Sequence, residues 1–118
     1  MLGFSKSIRL SGDKIFGLIL TEGKRKPFAG GEVFWRENGL RKSRFGFRAS
    51  SKVGGAVVRN GIRRRAREVV RKNQFLFKSG FDYLILIKDK NLFPTMPDGK
   101  MAGFLFSLFG PEIIEQVS

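Results

Sequence analysis

One segment, residues 56–73, most constrains what this chain can fold into. At 100° per residue it has an apolar stripe along one side of a helix, made by Val58, Ile62, Ala66 and Val69. The opposite side carries Asn60 and five arginines: Arg59, Arg63, Arg64, Arg67 and Arg71. Such a helix can pack its stripe on a sheet and leave a guanidinium surface in solvent. Arg65 lies at the edge of the stripe, where we expect its side chain to reach out to solvent.

The net charge of +13 is concentrated around this helix. Residues 41–72 contain 12 basic residues and one acidic residue, whereas the other 86 residues contain 11 and nine. Self-repulsion makes such a concentration costly, which indicates a surface for a polyanion, either nucleic acid or an anionic membrane. Arginine favours phosphate as the ligand, because its planar fork makes bidentate hydrogen bonds.

Several function classes are excluded by composition. The chain has no cysteine and no histidine, which excludes a disulfide scaffold, the usual zinc sites, a cysteine nucleophile and a histidine-based triad. The apolar stretch 103–110 is far shorter than the ~20 residues of a membrane-spanning helix. No small-residue cleavage site follows the short apolar run 15–20, so we expect no secretory signal and a cytoplasmic protein.

The length of 118 residues predicts a single domain, 1–118, whose elements alternate in type. A short amphipathic helix, with Ser11 as N-cap and Gly23 just after its end, is followed by a basic turn at 24–27. A strand at 31–36 and a hairpin turn at Asn38-Gly39 come next. The remaining elements are a strand at 43–50, the helix 56–73, a buried strand at 81–87 and a last helix at about 100–109.

The strand 43–50 has two different faces. Phe45, Phe47 and Ala49 alternate with Arg44, Gly46, Arg48 and Ser50. Lys52 and the pair Gly54-Gly55 then lead into the basic helix, whose unpaired N–H groups favour a bound phosphate, although a simple turn into the helix explains the two glycines equally well.

These residues resemble a known family. The run 59–68, RNGIRRRARE, resembles the motif of the bacterial ribonuclease P protein subunit: Arg-Asn, two residues, two basic residues, two residues, Arg-Glu. The similarity covers about residues 8–90. Its other parts are Arg9-Leu10, Phe16, Gly23, Arg44-Phe45-Gly46-Phe47, Ser50, Lys52, Gly54, Ala56-Val57 and Gly80-Phe81-Asp82-Tyr83.

The resemblance implies a fold and a function. The fold is a single α+β domain with a mixed four-stranded sheet, about three helices, the order α-β-β-β-α-β-α and a left-handed βαβ crossover. The family's protein assists a catalytic RNA subunit that removes the 5′ leader of precursor tRNA with Mg²⁺ held mainly by the RNA subunit and substrate. The resemblance implies no catalytic or metal-binding residue in the protein, no further protein partner and no membrane.

Site residues follow from the same resemblance. The RNA-binding set is Lys52, Arg59, Asn60, Arg63, Arg64 and Arg67, and Arg71 continues the same helix face. The leader groove is expected to contain Phe16, Phe34 and Ser50, with Arg48 on the Ser50 face of its strand. Stacking on aromatic rings tolerates any base, although core packing explains Phe16 and Phe34 equally well. The chain departs from the family pattern at Leu20, Ser51, Arg65 and Lys88.

Three alternatives compete with this interpretation. A non-enzymatic RNA-binding protein, such as a ribosomal protein, has the same composition, and the Arg-Asn motif favours ribonuclease P. A self-sufficient metal nuclease needs clustered carboxylates, whereas Asp82, Asp89 and Asp98 are scattered and Glu68 lies among arginines. A membrane-surface protein needs a broad apolar helix face, and the stripe here is narrow.

Overall fold

The computed structural model describes residues 12–97 and 99–115. Three helices and four strands follow one another in the predicted order: α1 (Asp13–Glu22), β1 (Lys24–Phe28), β2 (Gly31–Glu37), β3 (Arg44–Ala49), α2 (Ala56–Asn73), β4 (Phe81–Ile87) and α3 (Met101–Phe109). Short 3₁₀ turns at Ser51–Val53 and Gln74–Leu76 flank α2. The predicted α+β class and order of elements are therefore confirmed.

The four strands form one mixed sheet in the order β1-β2-β4-β3. β4 lies in the interior, antiparallel to β2 and parallel to β3. Its sequence, FDYLILI, is apolar on both faces except at Asp82, because both faces are covered, as the sequence predicts. The parallel pair is connected through α2, and β3 is left as an edge strand beside the basic helix.

The sheet packs on both faces. On one face, α2 and α3 cover the larger core, in which Val33, Trp35, Phe45, Phe47 and Tyr83 meet the helices. On the other face, α1 packs on β2 and β4 through a smaller cluster of Ile19, Phe34 and Leu84. Since side chains alternate along a strand, Arg44 and Arg48 lie on the α1 face of β3.

The apolar stripe of α2 is displaced by one turn from the predicted one. Ile62, Ala66 and Val69 are buried as predicted, and Val70 joins them. Val58 is 43% exposed, because the first turn of α2 extends past the core. The consequence is that the N-terminal turn of α2 projects into solvent at the end of β3.

Two predictions about the first half of the chain are wrong. The segment expected to be a basic turn, 24–27, belongs to the edge strand β1, where Pro27 is tolerated and lies opposite Glu32. The hairpin lies between β1 and β2, at Ala29-Gly30, where Gly30 has a positive φ of 94°.

The predicted Asn38-Gly39 hairpin does not exist, because β4 inserts between β2 and β3. Asn38-Gly39 instead starts a connection between non-adjacent strands. The Asn38 side chain donates to the Lys42 carbonyl at 3.1 Å and to Asp82 Oδ1 at 3.0 Å. Asn38 and Gly39 do form a turn, as their composition predicts. This turn does not join neighbouring strands, because the apolar strand β4 occupies the position between β2 and β3.

Two further expectations are refined by the structure. Arg65 is half-buried and reaches the surface beside the 93–94 loop, where its Nε and Nη2 each donate at 3.0 Å, to the carbonyls of Phe93 and Pro94. Gly23 does end α1, but with φ −80°, and a Cβ there would lie 2.9 Å from the Trp35 carbonyl oxygen. Position 23 therefore requires glycine because the Trp35 backbone approaches it closely, and not because the helix ends in a left-handed conformation. The predicted N-cap Ser11 lies outside the described residues.

Candidate nucleic-acid interface

The basic helix presents its arginines as the sequence predicts. Asn60 and Arg64 are exposed, and Arg59, Arg63 and Arg67 are half-buried along the same side of α2. The Arg63 guanidinium donates to the Asn60 side-chain oxygen, one turn earlier in the helix. This pairing orients the Arg63 fork without neutralising its charge.

Arg71 differs from the other arginines of this face. It makes two hydrogen bonds to Glu68, of 2.6 and 3.2 Å, and its side chain is only 20% exposed. The Arg71 hydrogen bonds are the main cause that lowers the pKa of the Glu68 carboxyl. The one acidic residue of the charged segment is thus held by Arg71, with Lys72 at 3.5 Å.

The predicted residues Ser50, Lys52 and Arg59 meet near the N-terminus of α2. The Ser50 hydroxyl caps the 3₁₀ turn by accepting from the Lys52 N–H at 3.3 Å, and the Lys52 side chain remains exposed. The residue that precedes α2, Gly55, has no side chain to cap the helix. The Arg59 Nε is buried and has no hydrogen-bond partner among the described residues. This end of the helix therefore offers donors to an anion.

Phe16 and Arg48 come together on the opposite face of the sheet. Arg48 is exposed on the edge strand β3, and its guanidinium carbon lies 4.5 Å from the centroid of the Phe16 ring. Phe16 is half-buried at the edge of the α1 cluster. Phe16 and Arg48 therefore share the margin between α1 and β3, whereas Ser50 lies just beyond the end of β3, at the 3₁₀ turn that precedes α2.

Phe34 occupies a different position from the other predicted groove residues. Its side chain is 8% exposed and packs between Ile19 and Leu84 beneath α1. The Arg25 guanidinium lies 5.9 Å from the ring centroid. Phe34 therefore contributes mainly to the core beneath the groove, whereas Phe16 keeps surface for a ligand.

Sequence reasoning missed a buried carboxylate next to this groove. Glu32 is 6% exposed and accepts hydrogen bonds from Arg25 and Lys88. The Lys88 bond, followed by the Arg25 bond, lowers the pKa of Glu32. Glu32 lies on the same sheet face as Arg48, in the register Glu32–Leu86–Arg48. The register of β4 brings these residues together, and no local pattern in the sequence predicts it.

A second buried carboxylate closes the other end of the same face. Asp82 is 4% exposed and accepts two hydrogen bonds of 2.7 Å from Arg44, in addition to the one from Asn38. Hydrogen bonding to Asp82 raises the pKa of the Arg44 guanidinium above its ordinary value. These bonds connect β3, β4 and the loop that starts at Asn38.

The described residues contain neither a metal-binding cluster nor a membrane-spanning helix. No three histidine, cysteine, aspartate or glutamate side chains in ranges 12–97 and 99–115 form a group able to hold a metal ion. Within the same ranges, no helix has the length and apolar character to cross a bilayer. The sheet, the arginine helix and the adjoining margin of α1 define a small basic domain whose α2 surface has the charge and the donor groups that suit a polyanion.

Comparisons with known proteins identify the family. The family model described as Ribonuclease P matches residues 4–100. A ribonuclease P protein component from Dictyoglomus turgidum is 38% identical over 85 residues, covering 72% of this chain and 71% of that protein. One from Thermotoga maritima is 36% identical over 87 residues, covering 74% of each. This chain belongs to the ribonuclease P protein family.

Solved structures agree with that membership. The RNase P protein from Thermotoga maritima superimposes with a TM-score of 0.65 at 35% identity, over 70% of this chain and 76% of that one. The RNase P protein from Staphylococcus aureus gives a TM-score of 0.73 over 94% of this chain and 100% of its own, at 21% identity. The second similarity shows the fold alone.

Proposed function

We propose that this chain is the protein subunit of a ribonuclease P ribonucleoprotein, acting in the cytoplasm on precursor tRNA. The observation that carries the proposal is the Arg59–Glu68 motif on the exposed face of α2 in a member of this family. No observation favours the ribosomal-protein alternative.

The catalytic RNA subunit is the proposed ligand of the α2 surface. Arg59, Arg63, Arg64 and Arg67 offer several guanidinium forks along one side of a rigid helix, and phosphate oxygens accept from such forks in pairs. The buried, unpartnered Arg59 Nε supports this assignment, because a phosphate oxygen there would satisfy it. Lys52 and the uncapped start of α2 would extend the contact.

The single-stranded 5′ leader is the proposed ligand of the margin between α1 and β3. Phe16 offers a ring on which any base can stack, and the neighbouring Arg48 offers a cation for the backbone. This combination does not read sequence, which suits a substrate class whose leaders vary. Ser50 continues the path toward α2, so one strand could run from the groove to the RNA subunit.

The chemistry of leader removal is assigned to the RNA subunit. Magnesium, held mainly by that RNA and the substrate, would supply the activated water and stabilise the leaving oxygen. The buried carboxylates of this chain, Glu32 and Asp82, are instead engaged with Arg25, Lys88 and Arg44. The protein's own part is to bind, orient and screen charge.

Salt dependence tests the assignment of the α2 surface. For a bacterial ribonuclease P RNA, log affinity is expected to fall with log salt with a slope of about −0.7 to −0.9 per phosphate contact. Arg63→Ala should reduce the magnitude of that slope by about one contact.

Arg36→Ala is the matched control. Arg36 is an exposed arginine paired with Glu22 at 3.2 Å, at the opposite end of the strands from Ser50. Its loss should leave the slope unchanged. Equal slopes for wild type and Arg63→Ala would remove α2 from the interface.

A further inference from the structure

Phe75 is exposed to an extent that packing does not explain. It is 71% exposed, whereas the two residues that follow it, Leu76 and Phe77, are 5% and 3% exposed in the core. Burial of the ring therefore contributes little to stability. One exposed apolar side chain is ordinary on a protein surface, so the meaning of this ring depends on what surrounds it.

The backbone that carries Phe75 is anchored on both sides. Phe75 lies in the 3₁₀ turn Gln74–Leu76, directly after α2 and before the buried Leu76 and Phe77. The Asn73 side chain donates to the Val69 carbonyl at 2.8 Å, and the Gln74 side chain donates to the Arg71 carbonyl at 3.2 Å. These contacts hold the turn against the end of α2, so less of the backbone has to be ordered on binding.

Cavities open on both sides of the ring. One, of about 360 Å³, is lined by Phe75 with Lys72, Asn73, Met96 and Met101 among others. The other, of about 280 Å³, is lined by Phe75 with Arg41, Lys42, Ser43, Gln74 and Ser79 among others. Both also contain a carboxylate, Glu68 in the first and Glu115 in the second. Glu68 is already neutralised by Arg71 and Lys72.

The position of Phe75 points to RNA as the occupant. Phe75 lies two residues beyond the end of α2 and lines one cavity together with Lys72, so it stands beside the C-terminal end of the basic helix. From Arg59 to Asn73 the helix is about 21 Å long at 1.5 Å per residue, and the ring lies just past its end. Exposed cations stand on either side, Lys72 on one and Arg41 with Lys42 on the other. An aromatic ring bordered by cations suits a nucleotide better than an apolar peptide.

We infer that Phe75 is a stacking platform for an unpaired nucleotide of the catalytic RNA subunit. The base would lie against the exposed ring, and its flanking phosphates would contact Lys72 and the Arg41-Lys42 pair. This inference rests on the proposed function, because it extends the RNA surface of α2 beyond the Arg-Asn motif. It adds an aromatic contact to a surface that otherwise depends on charge.

Three substitutions at this site separate stacking from apolar contact. Phe75→Ala removes the ring, Phe75→Leu keeps an apolar side chain without a π-face, and Phe75→Trp enlarges the π-face. For a bacterial ribonuclease P RNA, we expect Phe75→Ala and Phe75→Leu to weaken binding by roughly five- to fiftyfold, within the usual range for one stacked base. Phe75→Trp should bind as tightly as wild type or more tightly.

The slope of log affinity against log salt concentration is the second quantity to measure. Stacking releases no counterions, so Phe75→Ala should shift the affinity down at every salt concentration with the slope unchanged. Lys72→Ala should reduce the slope by about one contact. Leu20→Ala, another exposed apolar side chain at 47% but on α1, is the matched control and should change neither quantity. Unfolding midpoints of all variants at position 75 should remain those of wild type.

The outcomes are distinguishable. Wild-type binding with a steep slope and an unaffected Phe75→Ala variant would overturn the stacking platform while leaving the proposed function intact. Phe75→Leu equal to wild type, with Phe75→Ala weakened, would show apolar docking instead of stacking. Loss of a wild-type dimer in sedimentation on Phe75→Ala, without a change in RNA affinity, would assign the ring to self-association. Failure of wild type to bind the RNA would overturn both proposals.

Discussion

The ion pair between Asp82 and Arg44 should be a large single contribution to stability. Asp82 is nearly buried and accepts three hydrogen bonds, two of them from the Arg44 guanidinium. Asp82→Asn keeps the shape but removes the charge and replaces one of the two acceptor oxygens by a donating NH₂ group. Breaking a fully buried pair costs about 3–5 kcal/mol. Because 27% of the Arg44 side chain is exposed, water can solvate part of its charge, and we expect a loss of about 2–3 kcal/mol.

Urea unfolding followed by Trp35 fluorescence measures this loss. Trp35 is the single tryptophan and is 4% exposed in the main core, so its emission reports global unfolding. The urea concentration at the unfolding midpoint should fall, while the dependence of the unfolding free energy on urea concentration should stay unchanged. Glu22→Gln is the control, since it breaks the exposed pair with Arg36 and should cost less than about 1 kcal/mol. Equal effects of Asp82→Asn and Glu22→Gln would refute the reasoning from burial.

Two further predictions concern the groove face. Since the pKa of Glu32 is lowered in the folded state, its contribution is complete above the unfolded value of about 4.3 and is lost as pH falls through the folded pKa. The free energy of unfolding of wild type should exceed that of Glu32→Gln by about 1–2 kcal/mol at pH 7, and this difference should shrink below about pH 4. A difference that stays constant down to about pH 2.5 would contradict the assigned role of Glu32. Phe16→Ala should weaken holoenzyme binding of precursor tRNA by roughly tenfold relative to mature tRNA. Equal losses for both tRNAs, or an equal loss in Leu20→Ala, would remove Phe16 from the leader path.

The long elements were predictable from sequence because their signals are local. The 3.6-residue stripe of α2 and the continuous apolar run of β4 gave their bounds within a residue. The pairing of strands was not predictable in the same way. Asn38-Gly39 has the composition of a hairpin turn, yet β4 arrives from more than 40 residues away and occupies the place that β3 was expected to take.

The residues of the site also fall into those that a local pattern predicts and those that depend on tertiary contacts. The arginines of α2 follow from helix periodicity and from the family motif, and their arrangement on one side is confirmed by the structure. The two hydrogen bonds of Arg65 were not predictable, because its carbonyl partners belong to a loop 28 residues away. The Glu32 cluster and the exposure of Phe75 likewise depend on tertiary contacts. The sequence QFLF gives no sign of which phenylalanine is left outside.

Cleavage of precursor tRNA tests the central claim most directly. A bacterial ribonuclease P RNA at low magnesium is incubated with precursor tRNA, with and without this protein, beside a control that contains protein alone. We expect precursor tRNA to be cut at the correct 5′ site only when RNA and protein are both present. Cleavage by the protein alone, or no stimulation of the RNA despite binding to it, would contradict the account.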